Sequence, residues 1–343
     1  MIFPKLKLKF NIILIIYYLL IYYIMIKYFS AFSWIWAFEY SIKRLKLDRT
    51  CVWFSEIDKR AIKTYLHHYP KHKNYWNITN INLDKLGEFD LLFFWLPCQS
   101  FSLAWKKKWF QDKRGNLFFD VINILQEKKP SYFIFENVRW LLTNNSWKTF
   151  ETIKKEFDLA WYNIKRKVLN SKDYWLAQNR SRIFVFWERK DLWPFNFNLI
   201  EKKSKKVNLI DILQSKVDDK YKVTTKQIIN WYNSTYHSNK SQFLNKYCCC
   251  LTVWGNQKRI ISNKPDEFIK KYYKKELKQS ELQDIKWRRL TNEEYELLQG
   301  YNIWYTLGTS MSSRYNLLSN SISINVIDEI LTQFNLYIKE KLN

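Results

Sequence analysis

Cys98 stands where a strand-like apolar run, FDLLFFWLPCQSFSLAW, gives way to a polar loop. Ligands and catalysts sit at the carboxyl ends of strands in an open α/β sheet, so a thiol there is placed for nucleophilic attack. A lone cysteine also serves as a small buried hydrophobe, and location alone leaves both readings open. A second apolar run leads into Glu136-Asn137-Val138, which puts an acid at a neighbouring strand tip, either to work on a ligand held over Cys98 or simply to start a helix. A third is preceded by Gln178-x-Arg180-x-Arg182. Its two arginines share one face of an extended segment and suit an anion or a carbonyl oxygen, or else a solvated edge.

Such residues need strands to carry them. Short apolar runs at 27–33, 51–55, 90–95, 131–135, 162–169 and 182–187 alternate with helical patterns near 37–47, 58–68, 116–127 and 148–157. This alternation predicts an α/β protein with a doubly wound, Rossmann-like sheet. From 190 to 286 a Lys-, Asn- and Tyr-rich stretch, with short strands expected at 248–254 and 259–262, reads as a smaller unit. Helices expected at 291–298 and 324–339 close the chain. The expected division is an apolar extension at 1–24, a catalytic domain at 25–189, a recognition unit at 190–286, and a return segment at 287–343. The run Phe10–Ile26 is long enough to span a bilayer, but a strand-and-turn pattern starts at once from Met25. A mistaken start codon, with Met25 as the true first residue, is therefore expected in preference to a membrane segment.

The 343 residues hold 57 Lys+Arg against 32 Asp+Glu, a formal charge of +25, which calls for an anionic partner, nucleic acid first. With 47% apolar and 26% charged residues the chain can build a large core, which excludes disorder. Five cysteines, Cys51, Cys98 and the run Cys248, Cys249 and Cys250, form no CxxC pair, so neither a metal site nor a disulfide scaffold is expected. The setting expected is cytoplasmic, on the nucleoid. One count is abnormal: 17 Trp stand beside 5 Gly, where average usage of roughly 7% would give about 24 glycines. Tryptophans at turns, such as Trp34, Trp36 and Trp175, read as glycine positions written with another residue.

Taken in order, these segments resemble the DNA (cytosine-5)-methyltransferase family from Lys27 to Ile330. FSWIWAF, covering Phe32, Ser33, Trp34, Ile35 and Trp36, is similar to the first cofactor motif FxGxG, and Glu56-Ile57 to the acid motif that holds the ribose of S-adenosylmethionine. Asn77-Ile78 stands where the family usually has Asp-Ile beside the adenine. Pro97-Cys98-Gln99 matches the nucleophile motif, Arg114-Gly115-Asn116-Leu117-Phe118 the segment after the mobile catalytic loop, Glu136-Asn137-Val138 the ENV motif, and Gln178, Arg180 and Arg182 the QxRxR motif. RRLTNEEYELLQG at 288–300 resembles the ninth motif, and RYNLLSNSI at 314–322 the tenth, whose Asn320-Ser321 returns to the cofactor.

The resemblance implies methyl transfer from S-adenosylmethionine to C5 of cytosine in duplex DNA. A Cys98 thiolate would add at C6 and make C5 nucleophilic, Glu136 would bond N3 and the exocyclic amine, and Arg182 would hold O2, with Arg180 structural. The base must be flipped out, and Gln99, Ser100, Lys106, Lys107, Lys108 and Lys113 form a suitable lid over the DNA backbone, or a solvated charge run. A monomer acting beside a cognate restriction endonuclease is expected. Two rivals are an RNA cytosine-C5 methyltransferase and an inactive DNA-binding relative. The second gains weight from Trp34, Trp36, Trp53, Trp95, Trp105, Trp109, Trp140, Trp161 and Trp175, which stand where the family pattern has, or commonly tolerates, glycine. UGA codons read as tryptophan, where the source assigns them to glycine, would account for all of them. Asn77 for Asp and Ser319 for Gly are milder departures.

Overall fold

The computed structural model describes residues 26–97, 116–143, 148–192, 200–203, 206–234, 242–243, 247–251, 259–262 and 266–342. Its centre is a six-stranded sheet of β1 (Ile26–Ala31), β2 (Arg49–Ser55), β3 (Leu91–Trp95), β4 (Tyr132–Val138), β5 (Tyr162–Asn170) and β7 (Ser181–Arg189), in the order β2-β1-β3-β4-β7-β5. The pairs β1–β2, β1–β3 and β3–β4 are parallel, and β7 runs antiparallel to both β4 and β5. Strand order reverses between β1 and β3. That crevice is where an open sheet of this kind binds its ligand.

Both faces of the sheet are covered, so its central strands read as unbroken apolar runs. On β3, Leu91 and Phe93 belong to one core with α1 (Ala37–Arg44), α2 (Lys59–His68), α8 (Asn292–Gln299), α9 (Met311–Asn320) and α10 (Ile324–Leu342). Leu92 and Phe94 face the other way, into a core with α3 (Asn116–Lys128) and α4 (Lys148–Leu159). Phe94 is fully buried. Its truncation to alanine would cost about 3–5 kcal/mol.

The helices start and stop for local reasons. Asp58 caps α2 by accepting from the amides of Arg60 and Ala61. Thr291 and Glu294 form a reciprocal capping box on α8, and Arg288 holds the same Glu294 through two bonds of 2.7 and 2.8 Å. Gly300 ends α8 at φ 89°, and a Cβ there would meet Asn325 Oδ1 at 2.8 Å. A third, smaller core joins α5 (Thr225–Asn233), α6 (Asp266–Lys274), α7 (Gln279–Gln283) and β11 (Trp287–Arg289) through Ile228, Tyr272, Leu282 and Trp287. Ile200, Leu209, Cys248 and Leu251, in contrast, pack into the first core with the main sheet.

Three sequence expectations change. The first strand stops at Ala31 and not at residue 33, because Phe32 turns to φ 53°. The strand expected at 131–135 continues through Val138, since β4 pairs with β7 as far as Val138–Arg182. The strand expected at 248–254 is confined to β9 (Cys248–Cys249), which pairs with β6 (Gln178–Asn179); residues 252–258 lie outside the described residues. The remaining small strands are β8 (Gln242–Phe243) and β10 (Arg259–Ser262). Among the described residues no helix is long and apolar enough to cross a membrane. The apolar run before Ile26 lies outside them.

Candidate active site at the sheet switch point

Two loops meet over the crevice. After β1 the chain turns through Phe32, Ser33, Trp34, Ile35 and Trp36 into α1, with φ values of 53°, 51° and 76° at Phe32, Trp34 and Trp36. Ser33 holds this turn to its own strand and to the next, its hydroxyl donating to Ser30 O at 2.7 Å and its amide to Ser55 O at 3.1 Å. Beyond β2, the Glu56 carboxylate accepts from the amides of Ile57 and Asp58 through Oε1 and from the amide of Trp34 through Oε2, at 2.7–2.9 Å. Burial raises its pKa, and those three amides partly offset the rise. Ile35 is fully buried beneath the turn.

A cleft of about 420 Å³ opens beside this turn, lined by Phe32, Trp34, Glu56, Ile57, Asn77, Ile78, Trp95, Pro97 and Leu117 among others. Phe32, Ile78 and Leu117 supply apolar walls, and Glu56 supplies a carboxylate with one lone-pair direction left over from its three amides. Asn77 accepts from the Thr79 amide at 3.1 Å and so caps the short turn that presents Ile78. An apolar slot with a carboxylate at its rim fits an adenine nucleoside. From the far side the Trp34 indole donates to Leu317 O at 2.6 Å, tying the turn to α9. Asn320 ends that helix half-buried, and Ser321 is buried with its hydroxyl 2.7 Å from Tyr301 Oη.

The second cluster lies on β4 and β7. Glu136 is 1% exposed and pairs in register with Trp95 on β3 and Phe184 on β7. Arg182 Nε lies 3.1 Å from Glu136 Oε1, close enough for ion pairing but poorly aligned for a hydrogen bond. Among the described residues neither Glu136 oxygen accepts a hydrogen bond. Burial therefore raises the pKa of this carboxyl, and Arg182 and Arg180 pull it back in part. Next to it, Asn137 donates to Leu96 O at 2.8 Å and so fixes the backbone that leads to Pro97 and Cys98.

Arg180 is spent on the main chain. It donates to Leu251 O at 3.1 Å, Ser319 O at 3.0 Å and Ser321 O at 2.7 Å, and burial lowers its pKa to about 10. Gln178 completes the join, donating to Leu298 O and accepting from the Leu251 amide. These two residues lock β6, the 248–251 segment and the end of α9 together. Sequence reasoning missed Cys250, whose thiol lies 3.3 Å from Arg180 Nη1 and 3.6 Å from Arg182 Nη2. Burial pushes that thiol up, but the two guanidinium groups outweigh it and the net shift is down. Nothing in the run Cys248–Cys250 singles it out as a sequence. Cys98, Gln99, Ser100, Lys106, Lys107, Lys108 and Lys113 lie outside the described residues, and Pro97, the neighbour of Cys98, lines the cleft. No cluster of metal-binding side chains occurs among the described residues.

The chain is similar to known proteins in sequence and in fold. The family model for C-5 cytosine-specific DNA methylases matches residues 26–335. The orphan methyltransferase M.Rho11sI of Bacillus phage rho11s is 42% identical over 175 residues, covering 50% of this chain and 35% of its own length. The orphan methyltransferase M.SPRI of Bacillus phage SPR is 36% identical over 222 residues, covering 56% of this chain and 51% of its own. This chain thus spans about a third to a half of those two relatives. Type II methyltransferase M1.ScrFI of Lactococcus lactis subsp. cremoris is 31% identical over 281 residues, covering 81% of this chain and 70% of its own. In fold, a methyltransferase of Entamoeba histolytica superposes with a TM-score of 0.73 at 20% identity, over 93% of this chain and 99% of that one. With a match that runs from the first residue of β1 into the last helix, the chain belongs to the C-5 cytosine-specific DNA methylase family.

Proposed function

We propose that the protein transfers a methyl group from S-adenosylmethionine to C5 of a cytosine flipped out of duplex DNA. The observation that carries this reading is Glu136: a buried carboxyl without a hydrogen-bond donor among the described residues, beside Arg182 and one strand from the segment leading to Cys98. A buried polar group without a partner is costly, and a bound base satisfies it. Protonated, as its raised pKa favours, Glu136 donates to N3 of the ring and accepts from the exocyclic amine. Arg182 holds O2, and together they stabilise charge as the Cys98 thiolate adds at C6. That addition makes C5 a nucleophile. Loss of the C5 proton and expulsion of Cys98 restore the aromatic ring after transfer.

S-adenosylmethionine, when bound, supplies the electrophilic methyl group. The residues that would hold it are Phe32, Ser33, Trp34, Ile35 and Trp36 at the turn, Glu56 and Ile57 at the ribose, Asn77, Ile78 and Pro97 along the slot, and Asn320 and Ser321 from the return segment. Gln99, Ser100, Lys106, Lys107, Lys108 and Lys113 would close over the DNA backbone. The separate small core of Ile228, Tyr272 and Leu282 supports reading 190–286 as a recognition unit, between a catalytic part at 25–189 and its completion at 287–343, while Ile200, Leu209, Cys248 and Leu251 anchor that unit to the main sheet. The relatives named type II methyltransferases make a cognate endonuclease the partner to test, and the protein acts on DNA as a monomer. The +25 charge predicts DNA affinity that falls steeply with salt.

Labelled cofactor offered with duplex DNA or with transfer RNA tests the assignment. Label recovered as 5-methylcytosine in DNA alone is expected; label in RNA alone would replace the substrate. Exchange of 190–286 for the equivalent unit of a relative should change the sequence methylated and leave the modified atom unchanged.

A further inference from the structure

Ten described residues other than glycine have positive φ, and six of them are tryptophan: Trp34, Trp36, Trp76, Trp161, Trp175 and Trp304. Left-handed backbone occurs at only a few per cent of non-glycine residues and is least suited to bulky ones. Half of the twelve described tryptophans adopt it. Trp76 and Trp304 were not among the positions that the sequence pattern singled out. Trp53, Trp95 and Trp140 were, yet they keep negative φ, so the backbone makes no demand for glycine there.

At a helix end the main chain, not the side chain, fixes this conformation. Helix α8 ends in Gly300 at φ 89°, whose amide bonds back to Leu297 O. After α4 the same device recurs with Trp161 at φ 72°, its amide bonded to Asp158 O and its carbonyl accepting from the Lys190 amide, both at 3.0 Å. One helix end has the residue that such a turn favours; the other has an indole. Trp76, Trp161, Trp175 and Trp304 are 46–61% exposed, so their rings are not needed by the core. Trp36 shows the opposite problem. Its indole is buried with its ring centroid 2.5 Å from that of Tyr65, far inside the roughly 4.5–7 Å between centroids at which aromatic rings pack. The space at position 36 does not hold a side chain of that size.

We propose that the protein as its source makes it carries glycine at positions 34, 36, 76, 161, 175 and 304, because the codon written as tryptophan is read there as glycine. The change bears on the site directly. At position 34 it removes a side chain that lines the cofactor cleft, with its bond to Leu317 O, while keeping the amide that bonds Glu56, and at position 36 it relieves the crowding against Tyr65. The assignment of the six positions stands on backbone geometry and is independent of the methyltransferase reading; only the cofactor experiment below rests on that reading.

Mass spectrometry of the protein isolated from its source is the primary test. Peptides spanning the six positions should each be lighter by the full difference between the two residues, and tryptophan at those positions would overturn the proposal. Two surface sites give an independent check. In the recombinant chain Trp161→Gly and Trp304→Gly should each raise Tm by about 2 °C, whereas Trp161→Ala and Trp304→Ala should not, because alanine keeps the Cβ that positive φ disfavours. Equal gains from alanine would show that loss of an exposed indole, not the backbone, is responsible. For the site, Trp34→Gly with Trp36→Gly should tighten S-adenosylmethionine binding in calorimetry at least tenfold over the chain as written. Glycine peptides with unchanged cofactor affinity would leave the residue assignment standing and count against the cofactor reading alone.

Discussion

The β4–β7 cluster and the β1–α1 turn are built in opposite ways. Around Glu136 and Arg182 every side chain is of a type that its environment explains: a buried carboxyl, a guanidinium beside it, and Arg180 consumed by three carbonyls. Around Trp34 and Trp36 the backbone has the shape of a ligand-cradling turn, held by Ser33, Ser55 and the Glu56 carboxylate, while the side chains contradict it. Register and main-chain bonds thus determine a turn even against its residue types. Function can fail at such a place while the fold survives.

Four substitutions test this contrast, in falling order of expected effect. Cys98→Ser should lower methyl transfer by ~10³-fold or more while DNA binding persists, because a hydroxyl is far less acidic and less nucleophilic than a thiol of nearly the same shape. Retained turnover would remove covalent addition from the mechanism. Arg180→Ala should cost about 3 kcal/mol in denaturant unfolding, since it removes the donor from Ser319 O and leaves Leu251 O and Ser321 O with only the long bonds from Cys250 Sγ at 3.5 Å and Gln299 Nε2 at 3.4 Å. Little change in stability with a large loss of rate would instead make Arg180 part of the chemistry. Glu136→Gln should lower the rate about 10²-fold with cofactor affinity unchanged, because the amide retains the shape but loses proton exchange at N3. A rate within a few-fold of the parent would reduce Glu136 to a structural role.

The smallest effect, read per pH unit, belongs to the helix under the turn. Glu39 in α1 is fully buried, neither of its oxygens accepts a well-aligned hydrogen bond among the described residues, and burial raises its pKa from 4.5 to about 8 against a smaller lowering by its own backbone and the Ser30 hydroxyl. Between those values the folded state keeps a proton that the unfolded state has released, so stability falls as pH rises, by about 1.4 kcal/mol per unit at most. The slope ends above the folded pKa. Glu39→Gln should remove it, and an unchanged pH profile of Tm between pH 5 and 8 would show that Glu39 is ionised in the fold.

What the sequence disclosed follows from these same physics. Unbroken apolar runs such as DLLFFW mark strands covered on both faces, and the central sheet strands were legible for that reason, whereas β5 at the edge, YNIKRKVLN, is not such a run. The true ends of β1 and β4 were not, because one depends on φ at Phe32 and the other on antiparallel pairing with β7. Helix α9 escaped notice because MSSRYNLLSN has little apolar periodicity; it is buried through Arg314, which pairs with Glu293 and Glu296, as much as through Leu317 and Leu318. In the recognition stretch, α5 and α6 do carry an apolar stripe at the helical period, but each has only nine residues and sits in a Lys-, Asn- and Tyr-rich background. Glu136, Arg180 and Arg182 were visible as motif residues, whereas Cys250 reaches them only through the β6–β9 pairing.

The most direct test of the proposed chemistry is covalent capture by the chain with glycine at the six positions. Duplex DNA carrying 5-fluorocytosine, offered with S-adenosylmethionine, should leave a protein–DNA complex that survives denaturing electrophoresis, because fluorine cannot leave C5 as a proton does and Cys98 is not expelled. The complex should map to Cys98 and vanish in Cys98→Ser. DNA and cofactor binding without any covalent complex would contradict attack at C6 and, with it, the proposed mechanism.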